Sequence, residues 1–314
     1  MSAPRPRKRF EEAVRATLVR RELLGGPPEE RVHVACSSGA DSTALALVLH
    51  ALGHPLSLVY VDHQARPDTA DDAAFVAALA TALGAPFTSL TLPDGVRPTE
   101  DAWREARYAA LDGLAPGPVA LGHTLDDQAE TVIQRLLRGT GTAGLGGIPP
   151  RRGRYVRPLI DRRRSENVEY LEALGQAWRE DPSNATARFQ RNRVRSRVLP
   201  LLEAEAPEVA VHLAHLADIA REEQLVLQSL ARDFLCENGL VRGALARAPA
   251  GLLAAVLREA CPVVPSAERL AALRGLVLGG RGVIQLSQGY AARFDGRGRS
   301  ARLVFVRPEV GGAG

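Results

Sequence analysis

Between residues 30 and 160 the chain alternates short apolar runs with helical periods. Residues 32–36, 56–61, 87–92 and 119–121 read as strands, and 41–52, 69–83, 99–114 and 125–137 as the helices between and after them. Parallel strands cannot be joined by a tight turn, because each return crossing takes about a dozen residues or more and is usually a helix. The pattern therefore predicts a doubly wound α/β domain: a parallel sheet with helices on both faces and ligands at the carboxyl ends of its strands.

The rhythm changes after residue 138. "GTGTAGLGGIPP" reads as a loop. An arginine-dense stretch, "RRGRYVRPLIDRRR", follows, then a short helix over 165–174 and a second basic stretch, "EDPSNATARFQRNRVRSRVLPLL". Beyond Pro207 the chain is mainly helical to residue 278, and "GVIQL", "YAARF" and "ARLVFV" read as the strands of a closing hairpin. This divides the 314 residues into a domain over 1–203 and a smaller, mainly helical domain over 204–314. No apolar run approaches the roughly eighteen residues of a membrane span, and the basic N-terminus lacks the apolar segment of a secretory signal, so a cytoplasmic protein is expected. Three widely spaced cysteines, Cys36, Cys236 and Cys261, support neither a disulfide framework nor a zinc site.

The first strand runs into "CSSGADS" and leaves as a helix. Such a turn gathers unpaired backbone N–H groups and the positive end of a helix around one small space, where an anion fits. Ser37 and Ser42 add hydroxyls and Gly39 adds backbone freedom. A plain turn capped by Ser and Asp has the same composition. The Walker A pattern is absent: there is no lysine to hold a terminal phosphate. A second constellation lies in "GHTLDDQAET", where helical i, i+3 spacing puts Asp127 and Glu130 on one face with Asp126 beside them. Two carboxylates there repel unless a cation lies between them, although acid-rich first turns also occur for dipole reasons alone.

"SSGADS", residues 37–42, resembles the S-G-G-x-D-S pyrophosphate loop of the N-type ATP pyrophosphatases, departing from it at Ser38, where that pattern has glycine. Together with "VDHQARPDTADDAAFVAALATALGAPF", "EDAWREARYAAL", "LGHTLDDQAETVIQRLLRGTGTAGLGGIPP", "VRPLI" and the second basic stretch, residues 30–202 resemble the tRNA(Ile)-lysidine synthases in their short, two-domain form. Thr124 stands where many of these have a second histidine.

The resemblance implies a PP-loop fold and an ATP-dependent ligase that joins L-lysine to C2 of the wobble cytidine of tRNA(Ile) with a CAU anticodon. The reaction passes through an adenylated cytidine and releases pyrophosphate and AMP. It implies that ATP is held by Ser37, Ser38, Gly39, Ala40, Asp41, Ser42, Val61 and His63, with Mg²⁺ at Asp41, which otherwise is only a helix cap. Asp127 and Glu130 would recognise or deprotonate the lysine amine, and His123 would orient the reacting groups. One of Arg104 and Arg107 would reach the α-phosphate or activated base. Arg138, Arg188, Arg191, Arg193, Arg195 and Arg197 would meet RNA phosphates, since cations this dense repel one another unless anions are near. A homodimer is compatible with this form, and no membrane contact is implied. Two rival readings stay open: a PP-loop tRNA thiolase, and a nucleotide or tRNA binder without catalysis.

Overall fold

The computed structural model describes residues 6–26, 30–62, 69–93, 95–96, 99–179 and 190–307. The first half of the chain contains α1 (Pro6–Arg20), β1 (Val32–Ala35), α2 (Ala40–Ala51), β2 (Leu56–Asp62), α3 (Thr69–Ala82), β3 (Phe87–Thr91), α4 (Glu100–Asp112), β4 (Val119–Leu121) and α5 (Leu125–Leu137). Next come α6 (Thr142–Leu145), β5 (Arg151–Arg152), β6 (Tyr155–Val156), α7 (Arg164–Leu174), α8 (Gln190–Arg193), a π-helical turn over Val194–Val198, and α9 (Leu199–Glu205). The remainder is α10 (Val209–Asn238), α11 (Arg242–Leu245), α12 (Ala250–Ala260), α13 (Ala267–Val277), β7 (Ile284–Gln285), β8 (Ala291–Asp295) and β9 (Arg302–Val306). Contacts divide the chain into two compact units, residues 1–137 with 147–217 and residues 138–146 with 218–314.

The first unit is the doubly wound sheet that the alternation predicts. Its strand order is β3-β2-β1-β4-β6-β5, parallel throughout except for the edge strand β5, which runs antiparallel to β6. Strands β1, β2 and β4 are largely apolar and buried because helices cover both of their faces, with the buried His33 and Ser57 paired to each other; β2 is buried along nearly its whole length. Strand β3, at the sheet edge, alternates between half-buried and exposed residues. On one face α2 lays Ala44, Leu45, Val48 and Leu49 into a core shared with Phe10 and Val14 of α1 and with Tyr170 and Leu171 of α7. A separate cluster joins Leu125, Ala129 and Ile133 of α5 to Val194, Leu199, Ala210 and Ala214, and so fixes the basic segment around residue 195 to the α5 helix.

The short strands β5 and β6 and the helix α1 were not visible in the sequence pattern. Two-residue strands built from Arg151, Arg152, Tyr155 and Val156 have no periodicity to read, and the loop expected over 139–150 contains the single helical turn α6.

The second unit packs α12, α13 and the antiparallel sheet β7-β8-β9 around Leu253, Val256, Leu257, Leu273, Val277, Ala292 and Leu303. The three strands fall where "GVIQL", "YAARF" and "ARLVFV" place them. Among the described residues no helix is long and apolar enough to cross a membrane.

Candidate active site

The chain winds from β1 outward through β2 to β3, then crosses back to lay β4 on the other side of β1. Adjacent strands whose connections leave in opposite directions open a crevice at their carboxyl ends. Both constellations noted in the sequence lie there, one after β1 and one after β4. Gly122 lets them meet: a β-carbon at this position would stand 3.2 Å from the Ser42 amide nitrogen and 3.3 Å from the Asp41 carbonyl carbon.

In the first turn, Gly39 is the N-cap of α2 and supplies no side-chain cap bond. Among the described residues the backbone amides of Gly39, Ala40 and Asp41 donate no hydrogen bond. The Ser42 hydroxyl braces the turn from within, accepting from the Ser37 amide at 3.1 Å and donating to the Gly39 carbonyl at 3.0 Å. Ser38 sits at φ +68°, in the left-handed region that favours glycine, which is why the family pattern has glycine at this place. Its hydroxyl is turned away into the protein, donating to the Asp72 carboxylate at 2.9 Å. Val61 is a buried side chain one residue before the end of the neighbouring strand β2. His63 and Arg188 lie outside the described residues.

In the second turn, Thr124 caps α5. Its amide and hydroxyl donate to Asp127 Oδ2 at 2.8 and 3.0 Å, and its hydroxyl accepts from the Asp127 amide at 3.3 Å. This leaves Asp127 Oδ1 facing three guanidinium groups: Arg191 at 2.7 Å, Arg164 at 3.0 Å and Arg195 at 3.1 Å. Glu130, wholly buried, accepts from Arg195 Nε at 2.6 Å and from Arg191 Nε at 3.1 Å. Arg164 Nε donates to Asp41 at 3.0 Å, and Asn167 donates to the other Asp41 oxygen at 2.8 Å. One guanidinium thus joins the carboxylate of the β1 turn to that of the β4 turn.

The charges respond accordingly. Burial would raise the Asp127 carboxyl, but Arg191, Arg164 and Arg195 hold it well below the usual carboxylate range. Asp41 moves the other way, pushed up by burial against the pull of Arg164. Burial would lower Arg164, and Asp127, Asp41 and Glu130 together hold it above its ordinary value.

A third group stands behind these. Arg157, nearly fully buried, donates to His123 Nδ1 at 3.3 Å, to the Tyr108 hydroxyl at 3.0 Å and to the Pro149 carbonyl at 2.8 Å. Burial, reinforced by Arg157, Arg191 and Arg107 against the pull of Asp127, pushes the His123 imidazole down to about 3. It is therefore neutral near pH 7, and with Nδ1 accepting from Arg157 its Nε2 carries the hydrogen. Arg107 is half-buried and makes no hydrogen bond or ion pair among the described residues; burial and the cations Arg191, Arg104 and Arg157 lower it. Arg104 is exposed and pairs with Asp101 on its own helix. Of the two arginines left open by the sequence, Arg107 is the one whose charge acts on His123, and Arg157 acts on it in turn.

The basic segments behave differently from expectation. Arg191 and Arg195, expected to meet RNA phosphates, turn inward onto Asp127 and Glu130. The anions that dense positive charge calls for are the protein's own carboxylates. Arg193 and Arg197 are exposed, and Arg138 is an exposed residue of the other unit. Sequence reasoning assigned no part to Asn167, Thr124 or Tyr108, and counted Arg157 and Arg164 only within a basic cluster. The signal for Arg164 and Asn167 was weak: a cation and an amide at the start of a helix, i and i+3 on one face. Beside the ion cluster, a cleft of about 530 Å³ is lined by Glu130, Arg164, Arg195, Asp126, Glu203 and Leu199 among others.

Residues 8–202 match the PP-loop domain family. A tRNA(Ile)-lysidine synthase from Mycolicibacterium paratuberculosis is 43% identical over 234 residues, covering 73% of this chain and 72% of that protein. The chain belongs to the tRNA(Ile)-lysidine synthase family of PP-loop proteins. A second member, from Symbiobacterium thermophilum, is 41% identical over 247 residues, covering 73% of this chain and 51% of its own length. The chain spans about half the length of several of the curated relatives it matches. Among solved structures, the U34-tRNA thiolase NcsA from Methanococcus maripaludis, with its [4Fe-4S] cluster, superposes with a TM-score of 0.54 at 18% identity, over 68% of this chain and 79% of that one. At that identity the likeness concerns the fold alone.

Proposed function

We propose that the chain is a tRNA(Ile)-lysidine synthase: it uses ATP to join the ε-amine of L-lysine to C2 of the wobble cytidine in a CAU-anticodon tRNA(Ile). The observation that carries this reading is the bridge of Arg164 between Asp41 and Asp127, which joins an anion-binding turn to a buried acidic pair. One side suits a pyrophosphate and the other an ammonium group, and ATP-driven attachment of an amine needs both within reach of one reacting centre. On this reading the unit of residues 1–137 and 147–217 is the catalytic domain, extending past the 203/204 boundary expected from the sequence, and the unit of residues 138–146 and 218–314 is an accessory domain.

In the first step the cytosine O2 attacks the α-phosphorus and pyrophosphate leaves. The unpaired amides of Gly39, Ala40 and Asp41 would receive the pyrophosphate oxygens, already aligned by the α2 backbone. Magnesium fits as a companion to the nucleotide: an ion held mainly by phosphate oxygens needs only one or two carboxylates, and each Asp41 oxygen has one protein donor and a remaining lone pair. Bound there, it would neutralise charge on the leaving pyrophosphate. Arg107, whose charge acts on His123 and which has no carboxylate partner among the described residues, would meet the α-phosphate, which supplies negative charge to a set of cations.

In the second step the lysine amine attacks C2 and AMP leaves. The pair Asp127 and Glu130 would take the ammonium in place of one of the guanidinium groups they now hold, and neutral His123, fixed by Arg157, would present an N–H to the reacting base. Arg193 and Arg197, exposed on the same segment, would meet the tRNA backbone. Replacing Arg193 with Ala should weaken tRNA binding and reduce its salt slope by about one unit.

Cys36 argues against a thiolase. Its sulfur is buried, donates to the Ser42 hydroxyl, and its thiol is pushed up by burial. A sulfur carrier needs an accessible thiolate.

The decisive experiment mixes the protein with ATP, Mg²⁺, radiolabelled lysine and a CAU-anticodon tRNA(Ile) transcript. Label in RNA with one AMP released per lysine attached supports the reading. tRNA binding with neither AMP nor label would leave a non-catalytic binder.

A further inference from the structure

We propose that Asp72 and Arg179 are positioning residues for the pyrophosphate loop: they hold Ser38 in its left-handed conformation and draw its hydroxyl away from the anion space. The inference rests on the reading of that loop as a pyrophosphate site, and deepens it.

Ser38 is one of three non-glycine residues with positive φ among the described residues, and the only one in a candidate site. A residue with a β-carbon is unfavourable there, and relaxation toward negative φ would rotate the peptide linking Ser38 to Gly39. That rotation would redirect the Gly39 amide, one of the three amides that converge at the start of α2. Something has to oppose it in this chain that a glycine would not require.

The opposing contacts form a closed ring. The Ser38 hydroxyl lies between two acceptors, the Ser37 carbonyl beside it and Asp72 Oδ1 at 2.9 Å, on the first turn of α3, and shares its one hydrogen with them. The same Oδ1 accepts from Arg179 Nε at 2.8 Å. The backbone amide of Arg179 then donates to the Ser38 carbonyl at 3.0 Å, and Thr43 Oγ1 adds a bond to that carbonyl at 3.3 Å. Both polar ends of Ser38 are therefore fixed by residues 34 and 141 positions away that also bind each other. Ser38 is 3% exposed and Asp72 6%, so both sit where an unmet hydrogen bond is costly. With the hydroxyl held between Asp72 and the Ser37 carbonyl, the unpaired amides remain uncovered by their own neighbour. Neither Asp72 nor Arg179 contacts the carboxylates of the ion cluster in any bond described above, so their effect runs through Ser38.

The test is a double-mutant cycle on the full chain, read by titration calorimetry with inorganic pyrophosphate and Mg²⁺, with a thermal melt of each variant. Asp72→Ala should weaken pyrophosphate binding about tenfold, equivalent to about 1.4 kcal/mol. Ser38→Gly should bind within about twofold of wild type, and adding Asp72→Ala to Ser38→Gly should again change affinity by no more than about twofold, because glycine holds positive φ unaided. Asp72→Asn, which keeps an acceptor for the Ser38 hydroxyl, should retain most of the affinity and covers the case in which Asp72→Ala does not fold. An equal loss from Asp72→Ala in both backgrounds, or none in either, overturns the inference. Failure of the wild-type chain to bind pyrophosphate would instead remove the reading of the loop itself.

Discussion

Helices α2 and α5 begin at neighbouring strands of one sheet, yet they use their N-terminal amides in opposite ways. Helix α2 starts at a glycine with no side-chain cap, and three amides around that start find no partner among the described residues. Helix α5 starts at Thr124, whose amide and hydroxyl are taken by Asp127, the residue three positions on. An uncapped start is a place for an external anion. A start capped by its own carboxylate holds that carboxylate rigidly, with one oxygen satisfied and the other free to face cations. The same local geometry therefore yields an anion site at one strand end and a cation site at the next, and Arg164 spans the two.

The sharpest way to break this contrast is at Asp127. Asp127→Ala removes the cap partner of Thr124 and one of the carboxylates facing three guanidinium groups. Lysine transfer should fall by a factor of about a thousand or more, and stability by about 3–5 kcal/mol, since breaking a buried pair leaves uncompensated charge. Pyrophosphate binding at the other turn should survive in the fraction that stays folded; its loss would show that the two turns are not separable.

A smaller effect isolates the α2 side. Ala40 is the first helical residue and follows Gly39 at φ −70°, ψ 162°, a conformation that a following proline favours. Ala40→Pro should therefore fold normally and lose a single N–H. Pyrophosphate affinity should drop by about ten- to a hundredfold, the worth of one hydrogen bond to a charged group. An unchanged affinity would take that amide out of the site.

At the α5 side, Thr124→Ala should cost about 1 kcal/mol of stability, seen as a fall of about 2 °C in Tm for a chain of this size. It should raise the lysine KM more than it lowers kcat. The reverse split would mean that the cap serves chemistry rather than placement of Asp127.

The same side of the contrast can also be sharpened through a pH dependence. His123 is held neutral in the folded chain down to about 3, whereas an unfolded histidine titrates near 6.5. Between these values the unfolded state binds the extra proton, so His123 makes stability fall as pH drops from about 6.5 toward 3 and contributes no slope above that window. The depressed Asp127 carboxyl adds loss in the same direction, beginning near its unfolded value of about 3.9. His123→Asn should flatten the denaturation slope between pH 6 and 4.5 by at most about 1.4 kcal/mol per unit. An unaltered slope would mean that His123 is more solvated than its contacts indicate.

Much of this was legible in the chain itself. Strand and helix positions followed from alternation, because a parallel sheet imposes its crossover spacing on the sequence. The turns at Ser37–Ser42 and His123–Glu130 were legible because glycine, hydroxyl and carboxylate residues at a strand end have few other uses. The arginines were not. A guanidinium sits on a long, flexible stem, and nothing in "QRNRVRSRV" distinguishes Arg191 and Arg195, which turn inward, from Arg193 and Arg197, which are exposed. That choice follows from the packing of Val194 and Leu199 against α5, which sets the face each arginine occupies.

The amino-acid order by itself determined the four strands β1 to β4 and the two polar turns, since these depend on periodicities and local backbone preferences that act over a few residues. The tertiary structure alone decided which cations neutralise Asp127 and Glu130, and that Ser38 can occupy a glycine's conformation. Each of those depends on groups 30 or more residues apart meeting at hydrogen-bond distance away from bulk water, and no local pattern encodes such a meeting.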